Sequence, residues 1–516
     1  MTTMFKFILF LFSVFIVRSE SAKILAVFPF PSISHQVVFR PLMLELAKRG
    51  HEVTVITTDP EFLKGQTPQN LIEIDLHDMS YDHWNKYLRA GGKHKDPIKT
   101  LDTVCDVVYG LIYKQLNSSE VKEYIRNNKN IDLLIIESIM APALVLSHIY
   151  NDVPVIEFSS SGGIQLTLEM MGAATHSLFY PDIFHRRIFN LTLWDKITEM
   201  YVEYSMSQVF EKHFTDVKLL RSMFGPNVPD LRDIRRRNVQ MLFLNLHPIW
   251  DSNRPVPPNV VYLGGLHQKP QRELPQDLKS YLDSSEHGVI YISFGTNVKP
   301  SMFRPEKLKI FTDVLSQLPY DVLWKWDDDV LAGRPKNVRI SKWLPQSDLL
   351  RHPNIKLFIT QGGLQSTDEA ITAAVPLIAV PMMNDQWHNA ERYVEFNIGK
   401  KLLIEELTEK QLMDAIVTII NDDCYRQNIR KLRDVMHDQP QSPLERAVWW
   451  TEYLIRHGGE HLRAPTANLP WTEYYQLDLV LLVVAALVVV LVLSVLIVYC
   501  IVSYIRCFMR GKVKVN

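Results

Sequence analysis

The apolar residues of the chain begin as a short continuous run and then change to a helical period. Residues 23–28 form a run typical of a buried strand, and from Phe39 to Ala47 apolar residues return every three or four positions. Pro41 suits the first turn of such a helix, and Gly50 suits the position after its end. A second run at 51–57 completes a β-α-β unit, which predicts a parallel sheet with ligands beyond the carboxyl ends of its strands.

The same alternation continues in two sections of the chain. Residues 131–136 and 153–156 are predicted strands of the first section, the stretch 160–240 is predicted as mostly helix and loop, and the Pro-rich stretch 253–259 is typical of a linker. Strands of a second section are predicted at 289–293, 321–326, 357–359 and 377–380. The fold class is therefore α/β, with two parallel halves and a ligand cleft between them.

Both ends of the chain carry hydrophobic segments of another kind. Residues 1–21 combine one cation, a short apolar run and small residues before Ala22, which predicts a cleaved secretory signal peptide. Residues 479–505 contain no charged side chain and are long enough to cross a bilayer, whereas a soluble helix of this length would keep a polar face. The cations that follow place the tail in the cytosol, and residues 512–516 match the Lys-x-Lys-x-x retrieval pattern of the endoplasmic reticulum.

We therefore expect a single-pass protein of the endoplasmic reticulum membrane with a lumenal body. The predicted organisation is a signal peptide at 1–21, an N-terminal domain at 22–250, a linker at 251–260, a C-terminal domain at 261–440, C-terminal helices and a juxtamembrane segment at 441–477, a transmembrane helix at 478–505 and a cytosolic tail at 506–516.

Composition and charge remove some classes of partner. The net charge of −1, without a basic run, argues against nucleic acid. Only Cys105 and Cys424 fall in the predicted lumenal part, and no Cys/His cluster suggests a metal, so no metal cofactor is expected. Asn117 and Asn190 begin sequons that suit glycosylation in this compartment. The oligomeric state stays open.

One turn of the second half has the form of an anion site. The segment Thr360-Gln361-Gly362-Gly363 follows a predicted strand and opens a helix, so its backbone N–H groups and the helix N-terminus suit a diphosphate. Glycine pairs also serve ordinary turns, and the motif alone is weak. The dinucleotide and Walker glycine patterns are missing from the sequence.

From Trp343 to Gln386 the sequence resembles the donor signature of the UDP-glycosyltransferase family, in its animal microsomal branch and closest to insect UDP-glucosyltransferases and UDP-glucuronosyltransferases. Further matching blocks lie at 34–35, 41–42, 49–53, 264–267, 293–296 and 443–450. The resemblance implies the GT-B arrangement, in which two Rossmann-like domains face a cleft. The N-terminal domain would bind the acceptor and the C-terminal domain the UDP-sugar.

The resemblance also implies which residues bind the donor. Trp343 would stack on uracil, Gln346 would bind beside it, and Glu369 would accept hydrogen bonds from the ribose. Asp385 and Gln386 would hold sugar hydroxyls. The other donor-binding residues, of which Thr296 and Lys325 would lie near the phosphates, are Ser293, Thr296, Lys325, Gln361, Gly362, Gly363, Gln365 and Ser366. Each of these suits a structural role when taken singly, but their order along the chain favours donor binding.

Catalysis needs a base, because a hydroxyl acceptor must lose its proton to attack the anomeric carbon. A histidine that a carboxylate orients is the natural choice. His35, predicted on the first β-α loop, matches the family base, and Glu137 stands where the family often has Asp. One displacement without a covalent intermediate predicts inversion at the anomeric carbon.

Two features set alternatives beside this interpretation. Asp327-Asp-Asp329 has the Asp-x-Asp form of metal-dependent glycosyltransferases, but we interpret it as a solvated acidic loop, because the rest of the chain matches the metal-independent type.

Gln361 stands where the family usually has His, and an amide cannot carry positive charge towards the leaving diphosphate. Such a loss could lower the rate roughly 10²–10³-fold. The alternative function is a catalytically weak or silent member that acts as a membrane-anchored lipophile-binding protein.

The sequence thus predicts a hexosyltransferase for detoxification or conjugation. The donor is a UDP-sugar, with UDP-glucose favoured and UDP-glucuronate second. The acceptor is a hydroxyl of a small lipophilic molecule, whose identity stays open because its pocket is predicted only to be apolar.

Overall fold

Two parallel β-sheets form the framework of the chain. The computed structural model describes residues 21–89 and 96–512. Its strands are β1 (Lys23–Phe28), β2 (Glu52–Thr57), β3 (Leu71–Asp75), β4 (Leu133–Glu137), β5 (Val155–Ser159), β6 (Val239–Leu244), β7 (Val260–Tyr262), β8 (Val289–Ser293), β9 (Asp321–Lys325), β10 (Val338–Ser341), β11 (Ile355–Thr360), β12 (Leu377–Ala379) and β13 (Gly399–Lys401). The first sheet has the order β3-β2-β1-β4-β5-β6-β7 and the second β10-β9-β8-β11-β12-β13. Neighbouring strands in both sheets run parallel.

Helices connect the strands, as parallel pairing requires. They are α1 (Ile33–Lys48), α2 (His77–Arg89), α3 (Pro97–Leu116), α4 (Ser119–Asn127), α5 (Val145–Ile149), α6 (Gln165–Met171), α7 (Leu193–Thr215), α8 (Lys218–Phe224), α9 (Leu231–Asn238), α10 (Gln276–Asp283), α11 (Pro305–Ser316), α12 (Gln346–Leu350), α13 (Leu364–Ala373), α14 (Gln386–Glu395), α15 (Glu409–Asn421), α16 (Asp423–His437), α17 (Pro443–His457), α18 (Trp471–Tyr474) and α19 (Leu477–Lys512). Short 3₁₀ helices lie at Ala141–Leu144, Pro248–Asp251, Pro300–Met302 and Glu460–Leu462.

The helix α1 begins earlier than its apolar period predicts, at Ile33. The Gln36 amide in its first turns donates to the two backbone carbonyls at the end of β1 and just beyond it, at 2.9 and 3.1 Å. Polar residues therefore interrupt the apolar pattern without interrupting the helix. As a correction, Pro41 lies inside α1 and not in its first turn, and His35 lies in the first turn and not on a loop.

The edge strand β7 corrects the predicted domain boundary. The stretch 160–240 is mostly helix and loop, as predicted, and β6 begins only at Val239. The sequence predicts a linker at 251–260, yet β7 after it belongs to the first sheet, like β6. The Pro-rich stretch is the turn before a three-residue edge strand, and the chain crosses to the second half only after Tyr262. The N-terminal half therefore extends beyond the predicted limit of residue 250.

The helix α17 returns the chain to the first half. Its Ala447 and Leu454 share a buried apolar cluster with Phe39 of α1. Arg49, just after α1, pairs with Glu452 of α17 at 3.3 Å. The C-terminal helices predicted within 441–477 thus begin by packing on the first half of the chain.

Residues 464–516 form a separate unit. Its helix α19 contains Leu477–Met509, in which a stretch of 18 residues has a mean hydropathy of 3.5. It is the one helix of the described chain that is long and apolar enough to cross a bilayer. The span predicted at 478–505 lies within this helix. The predicted signal peptide and retrieval motif fall outside the described residues, apart from Ser21 and Lys512.

Candidate active site

Both sheets reverse their strand order at an equivalent place. The neighbours there are β1 and β4 in the first sheet and β8 and β11 in the second. Open parallel sheets bind ligands beyond the carboxyl ends of the strands at such reversals. A cavity of about 940 Å³ lies there, with a wall from each half of the body.

The predicted site residues converge on this cavity. Fourteen of the fifteen line it, namely His35, Glu137, Ser293, Thr296, Lys325, Trp343, Gln346, Gln361, Gly363, Gln365, Ser366, Glu369, Asp385 and Gln386. The remaining one, Gly362, lies in the turn behind the wall. Its φ of +89° is left-handed, which favours glycine there.

His35 and Glu137 are in direct contact because their strands are neighbours. Glu137 is the last residue of β4, and its buried carboxylate oxygen Oε1 faces Nδ1 of His35. The Ser160 hydroxyl lies 3.1 Å from the same ring nitrogen. With Nδ1 engaged by the carboxylate, Nε2 is the ring atom that can accept a proton. The Glu137 side chain therefore reaches the histidine, as the sequence interpretation requires.

The first half gives the cavity an apolar wall beside His35. The Phe30 ring lies 4.7 Å from the His35 ring and 5.0 Å from the Trp84 ring, measured between centroids. Apolar side chains of α3 and α7 continue the wall, among them Leu101, Val104, Val108, Met206 and Phe210. Such a wall suits an apolar molecule whose polar end faces the histidine.

Trp343 presents an open aromatic face on the second half. Its side chain is 65% exposed, whereas Trp250, Trp324 and Trp326 are buried. The Lys325 ammonium lies 4.9 Å from the ring centroid and donates to the Gly295 carbonyl at 2.9 Å. Burial lowers the pKa of Lys325. The arrangement offers a flat aromatic surface on which a nucleobase can stack, with the Lys325 cation close to that surface.

Gln346 connects three polar groups next to Trp343. Its amide nitrogen donates to Glu369 at 2.7 Å and to Ser366 at 2.9 Å, while its oxygen accepts from the Tyr291 hydroxyl at 2.9 Å. Burial raises the pKa of Glu369 to about 7. The network holds the Glu369 carboxyl group at the cavity wall, where it can accept from ligand hydroxyls.

The two glycine turns of the second half touch through Gln361. Gly295 has φ +74°, and a Cβ added there would lie 2.3 Å from the Gln361 amide nitrogen. A larger residue at 295 would therefore displace Gln361. The Gln361 amide oxygen is buried without a hydrogen-bond partner in the described structure, so the amide has unused hydrogen-bonding capacity beside the turn.

Asp385 joins the start of α13 to the start of α14. Its carboxylate oxygen Oδ2 accepts from the Leu364 backbone N–H at 3.3 Å and from the Asn389 amide at 2.9 Å. Burial raises the pKa of Asp385, while the Asn389 hydrogen bond and the charge of His35 oppose this shift. Gln386 is oriented by two backbone N–H groups, those of Met382 at 2.9 Å and Met383 at 3.0 Å.

Gln365 makes a contact that the sequence interpretation does not foresee. Its amide donates across the cleft to the Ser160 backbone carbonyl at 2.8 Å. A second cross-cleft bond runs from the Asn297 amide to the Ser32 hydroxyl at 3.1 Å. Both bonds end beside His35, because Ser32 precedes α1 and Ser160 contacts the ring.

Sequence reasoning missed Asn297, Ser160 and Asn389. All three carry a local signal: Ser160 lies four residues after a predicted strand, and Asn389 lies one helical turn after Asp385. For Asn297 the signal is its place next to the matched block 293–296.

No group of three or more His, Cys, Asp or Glu side chains in the described residues could hold a metal ion. The acidic loop has protein partners of its own: Asp327 accepts from the Ser301 hydroxyl at 2.5 Å, and Asp329 pairs with Lys342 at 2.7 Å. Asn117 and Asn190 of the predicted sequons are exposed.

Comparisons with known proteins agree with this geometry. The family described as "UDP-glucoronosyl and UDP-glucosyl transferase" matches residues 22–515. An ecdysteroid UDP-glucosyltransferase of Spodoptera littoralis nuclear polyhedrosis virus is 36% identical, covering 92% of this chain and 96% of its own. The UDP-glycosyltransferase UGT5 of Dactylopius coccus is 31% identical, covering 94% and 92%. A solved UDP-glucose: anthocyanidin 3-O-glucosyltransferase in complex with UDP covers 85% of this chain and 99% of its own with TM-score 0.57; at 17% identity, it shows the shared GT-B fold alone.

Proposed function

The chain belongs to the family of UDP-glucuronosyl and UDP-glucosyl transferases and is a UDP-sugar glycosyltransferase. From this premise we propose that it transfers a hexosyl group, with inversion, to a hydroxyl of a small lipophilic acceptor. The observation that carries the proposal is the contact between Glu137 and Nδ1 of His35 on the wall that faces the donor motif. This contact supplies an oriented base at the junction of an apolar pocket and a site suited to a UDP-sugar.

The proposed reaction is one displacement. Nε2 of His35 takes the proton of the acceptor hydroxyl, whose oxygen attacks the anomeric carbon. The bond from that carbon to the diphosphate oxygen breaks, and UDP leaves with its electron pair. Glu137 stabilises the imidazolium that forms, and the backbone N–H groups of the turn at 360–363 receive the developing negative charge. Attack opposite the leaving group inverts the configuration at the anomeric carbon.

UDP-glucose is the favoured donor, with UDP-glucuronate second. Support comes from the relatives of the chain, several of which are named UDP-glucosyltransferases. The viral relatives are named ecdysteroid UDP-glucosyltransferases, which makes a hydroxylated steroid the first acceptor class to test. The role we propose is conjugation or detoxification of such lipophilic alcohols.

We place the enzyme in the endoplasmic reticulum membrane with its body in the lumen. The span within α19 and the cations after it support this orientation. Glycosylation at Asn117 and Asn190 belongs to the same proposal, because both side chains are exposed and carry the sequon pattern.

Membranes that express the full chain provide the test. A panel of UDP-sugars is offered with a simple phenol or a hydroxylated steroid, and UDP release is measured alongside His35→Ala and the control His77→Ala, which lies outside the cavity. UDP release that needs an acceptor, persists in the His77 variant and is lost in the His35 variant supports the proposal and identifies the sugar. Acceptor-dependent release that His35→Ala leaves intact overturns it.

A second candidate function is a silent member that binds lipophiles without turnover. Gln361 favours it, since the amide at this turn cannot supply positive charge to the leaving diphosphate. Measurable UDP-sugar binding without UDP release, across the whole panel, would decide for this function.

A further inference from the structure

The geometry points to Asn389 as a positioning residue of the sugar-donor site, set in place by Trp250 of the acceptor-side half. This inference rests on the proposed function, because it assigns Asp385 and the turn at 360–363 to the donor. Asn389 is 2% exposed and Trp250 is 1% exposed, so neither side chain contacts a ligand directly. Their effect would pass through the groups that they hold.

Three hydrogen bonds use the whole amide of Asn389. Its oxygen accepts from the Trp250 indole N–H at 2.8 Å. Its nitrogen donates to the Gly362 carbonyl at 2.8 Å and to Oδ2 of Asp385 at 2.9 Å. The amide thus touches the acceptor-side half, the diphosphate turn and the sugar-binding carboxylate at once.

The indole decides which way the amide faces. A tryptophan nitrogen can only donate, so the Asn389 oxygen must point at Trp250. The two N–H bonds of the amide are then directed at the two acceptors, the Gly362 carbonyl and the Asp385 carboxylate. The opposite orientation would bring two N–H groups together, and it would take the Asn389 donor away from both the Gly362 carbonyl and Oδ2 of Asp385, which would keep only the Leu364 N–H.

Trp250 itself is held by packing against the donor half. It lies in the 3₁₀ helix at Pro248–Asp251, and its ring is 5.6 Å from the Phe396 ring and 6.3 Å from the Tyr393 ring, measured between centroids. A residue of the first half thereby fixes the start of α14, from which Asp385 reaches the cavity. We infer that the acceptor-side half sets the position of the sugar-binding carboxylate.

Two conservative variants interrupt this network on opposite sides. Trp250→Phe removes the indole N–H and keeps an aromatic ring in the packing. Asn389→Asp keeps the shape of the side chain but places an oxygen against the Gly362 carbonyl and Asp385. The matched control is Trp326→Phe, since the Trp326 ring is also buried, in a separate core cluster, and its indole N–H also donates to an oxygen, the Val330 carbonyl at 3.0 Å.

The experiment compares these variants as full chains in membranes. It measures kcat/KM for UDP-glucose and for its C4 epimer UDP-galactose, the Kd of UDP, and the melting temperature. Misplacing Asp385 should lower kcat/KM for UDP-glucose by about 10- to 10²-fold and reduce the preference over UDP-galactose. The Kd of UDP should change less than the sugar preference, because the uracil and ribose contacts proposed for Trp343 and Glu369 do not involve Asn389.

The outcomes separate the inference from the proposed function. A wild-type chain that transfers no sugar defeats the proposed function. Active wild type with unchanged sugar preference in both variants overturns the positioning role. A parallel loss of UDP affinity and activity that Trp326→Phe reproduces shows a general structural effect and overturns it as well. Where Asn389→Asp fails to fold, Trp250→Phe decides.

Discussion

Glu137 ends the strand β4 with its carboxylate against Nδ1 of His35, which lies in the first turn of the helix after the neighbouring strand β1. The contact depends on strand order, because β1 and β4 are adjacent in the sheet although some hundred residues separate the two side chains. It gives the cavity one histidine whose proton-accepting nitrogen is defined by its partner.

The first prediction concerns this pair. His35→Ala should lower kcat by about 10²–10⁴-fold, and Glu137→Gln should also lower it, because an amide cannot stabilise the imidazolium. Neither change should alter the Kd of UDP, since the predicted nucleotide contacts lie on the second half. Turnover and UDP binding are measured on the same membranes. Equal losses of both in the two variants would contradict a role in proton transfer.

The second prediction concerns base stacking on Trp343. Trp343→Ala should raise the Kd of UDP about 5- to 150-fold, which corresponds to ~1–3 kcal/mol for one stacked base. Trp194→Ala is the matched control, because Trp194 is also exposed, at 74%, and does not line the cavity. Calorimetric titration with UDP measures both. An unchanged Kd of UDP in Trp343→Ala would show that uracil does not stack on this ring.

The third prediction concerns the unusual turn residue. Gln361→His should raise kcat, by up to roughly 10²–10³-fold, because an imidazolium can oppose the charge that develops on the diphosphate. The gain should be larger at pH 6 than at pH 8, since the added ring is protonated at low pH. Gln361→Glu should lower turnover instead. A Gln361→His enzyme with wild-type turnover and donor affinity would show that the Gln361 amide lowers neither of them.

The fourth prediction separates two roles for Gln365. Gln365→Glu keeps the shape but loses the N–H that donates to the Ser160 carbonyl. If Gln365 positions the base across the cleft, kcat falls by about 10- to 10²-fold while KM for UDP-glucose is unchanged. Asn297→Ala should act in the same direction, because its bond to Ser32 reaches the other side of His35. A raised KM with normal kcat would assign Gln365 to donor binding.

The fifth prediction concerns stability and pH. Burial raises the pKa of Asp368 to about 8, whereas an unfolded Asp titrates near about 4. The folded chain therefore keeps the Asp368 proton to a higher pH than the unfolded chain does. The contribution of protonated Asp368 to the free energy of unfolding is full below about pH 4 and is lost as the pH rises towards 8. Asp368→Asn should flatten this decline.

Thermal unfolding of the full chain at pH 5 and pH 8 measures the effect. Asp414→Asn is the matched control, because Asp414 is exposed on α15. A decline of the same size in wild type, Asp368→Asn and Asp414→Asn would show that Asp368 does not contribute to it.

Most inner strands could be predicted from sequence, whereas the inner strand β6 and the edge strands were not predicted. β1, β4, β8 and β11 are buried on both faces and therefore appear as continuous apolar runs. The edges β3 (LIEID), β10 (VRIS) and β13 (GKK) are partly exposed and mix polar with apolar residues. Without a continuous run or a clear period, they carry no signal that separates them from loops.

By itself the sequence determined the fold class, the candidate span and the residues around the cavity, because buried runs, helical periods and matched motifs are local properties of the chain. Only the tertiary structure decided that Gln365 reaches across to Ser160 and that Trp250 orients Asn389. The reason is physical: these partners are far apart in sequence, and packing of the two sheets decides which polar groups become buried together. A buried donor must then find an acceptor among its new neighbours, and no local sequence pattern predicts which residues those neighbours are.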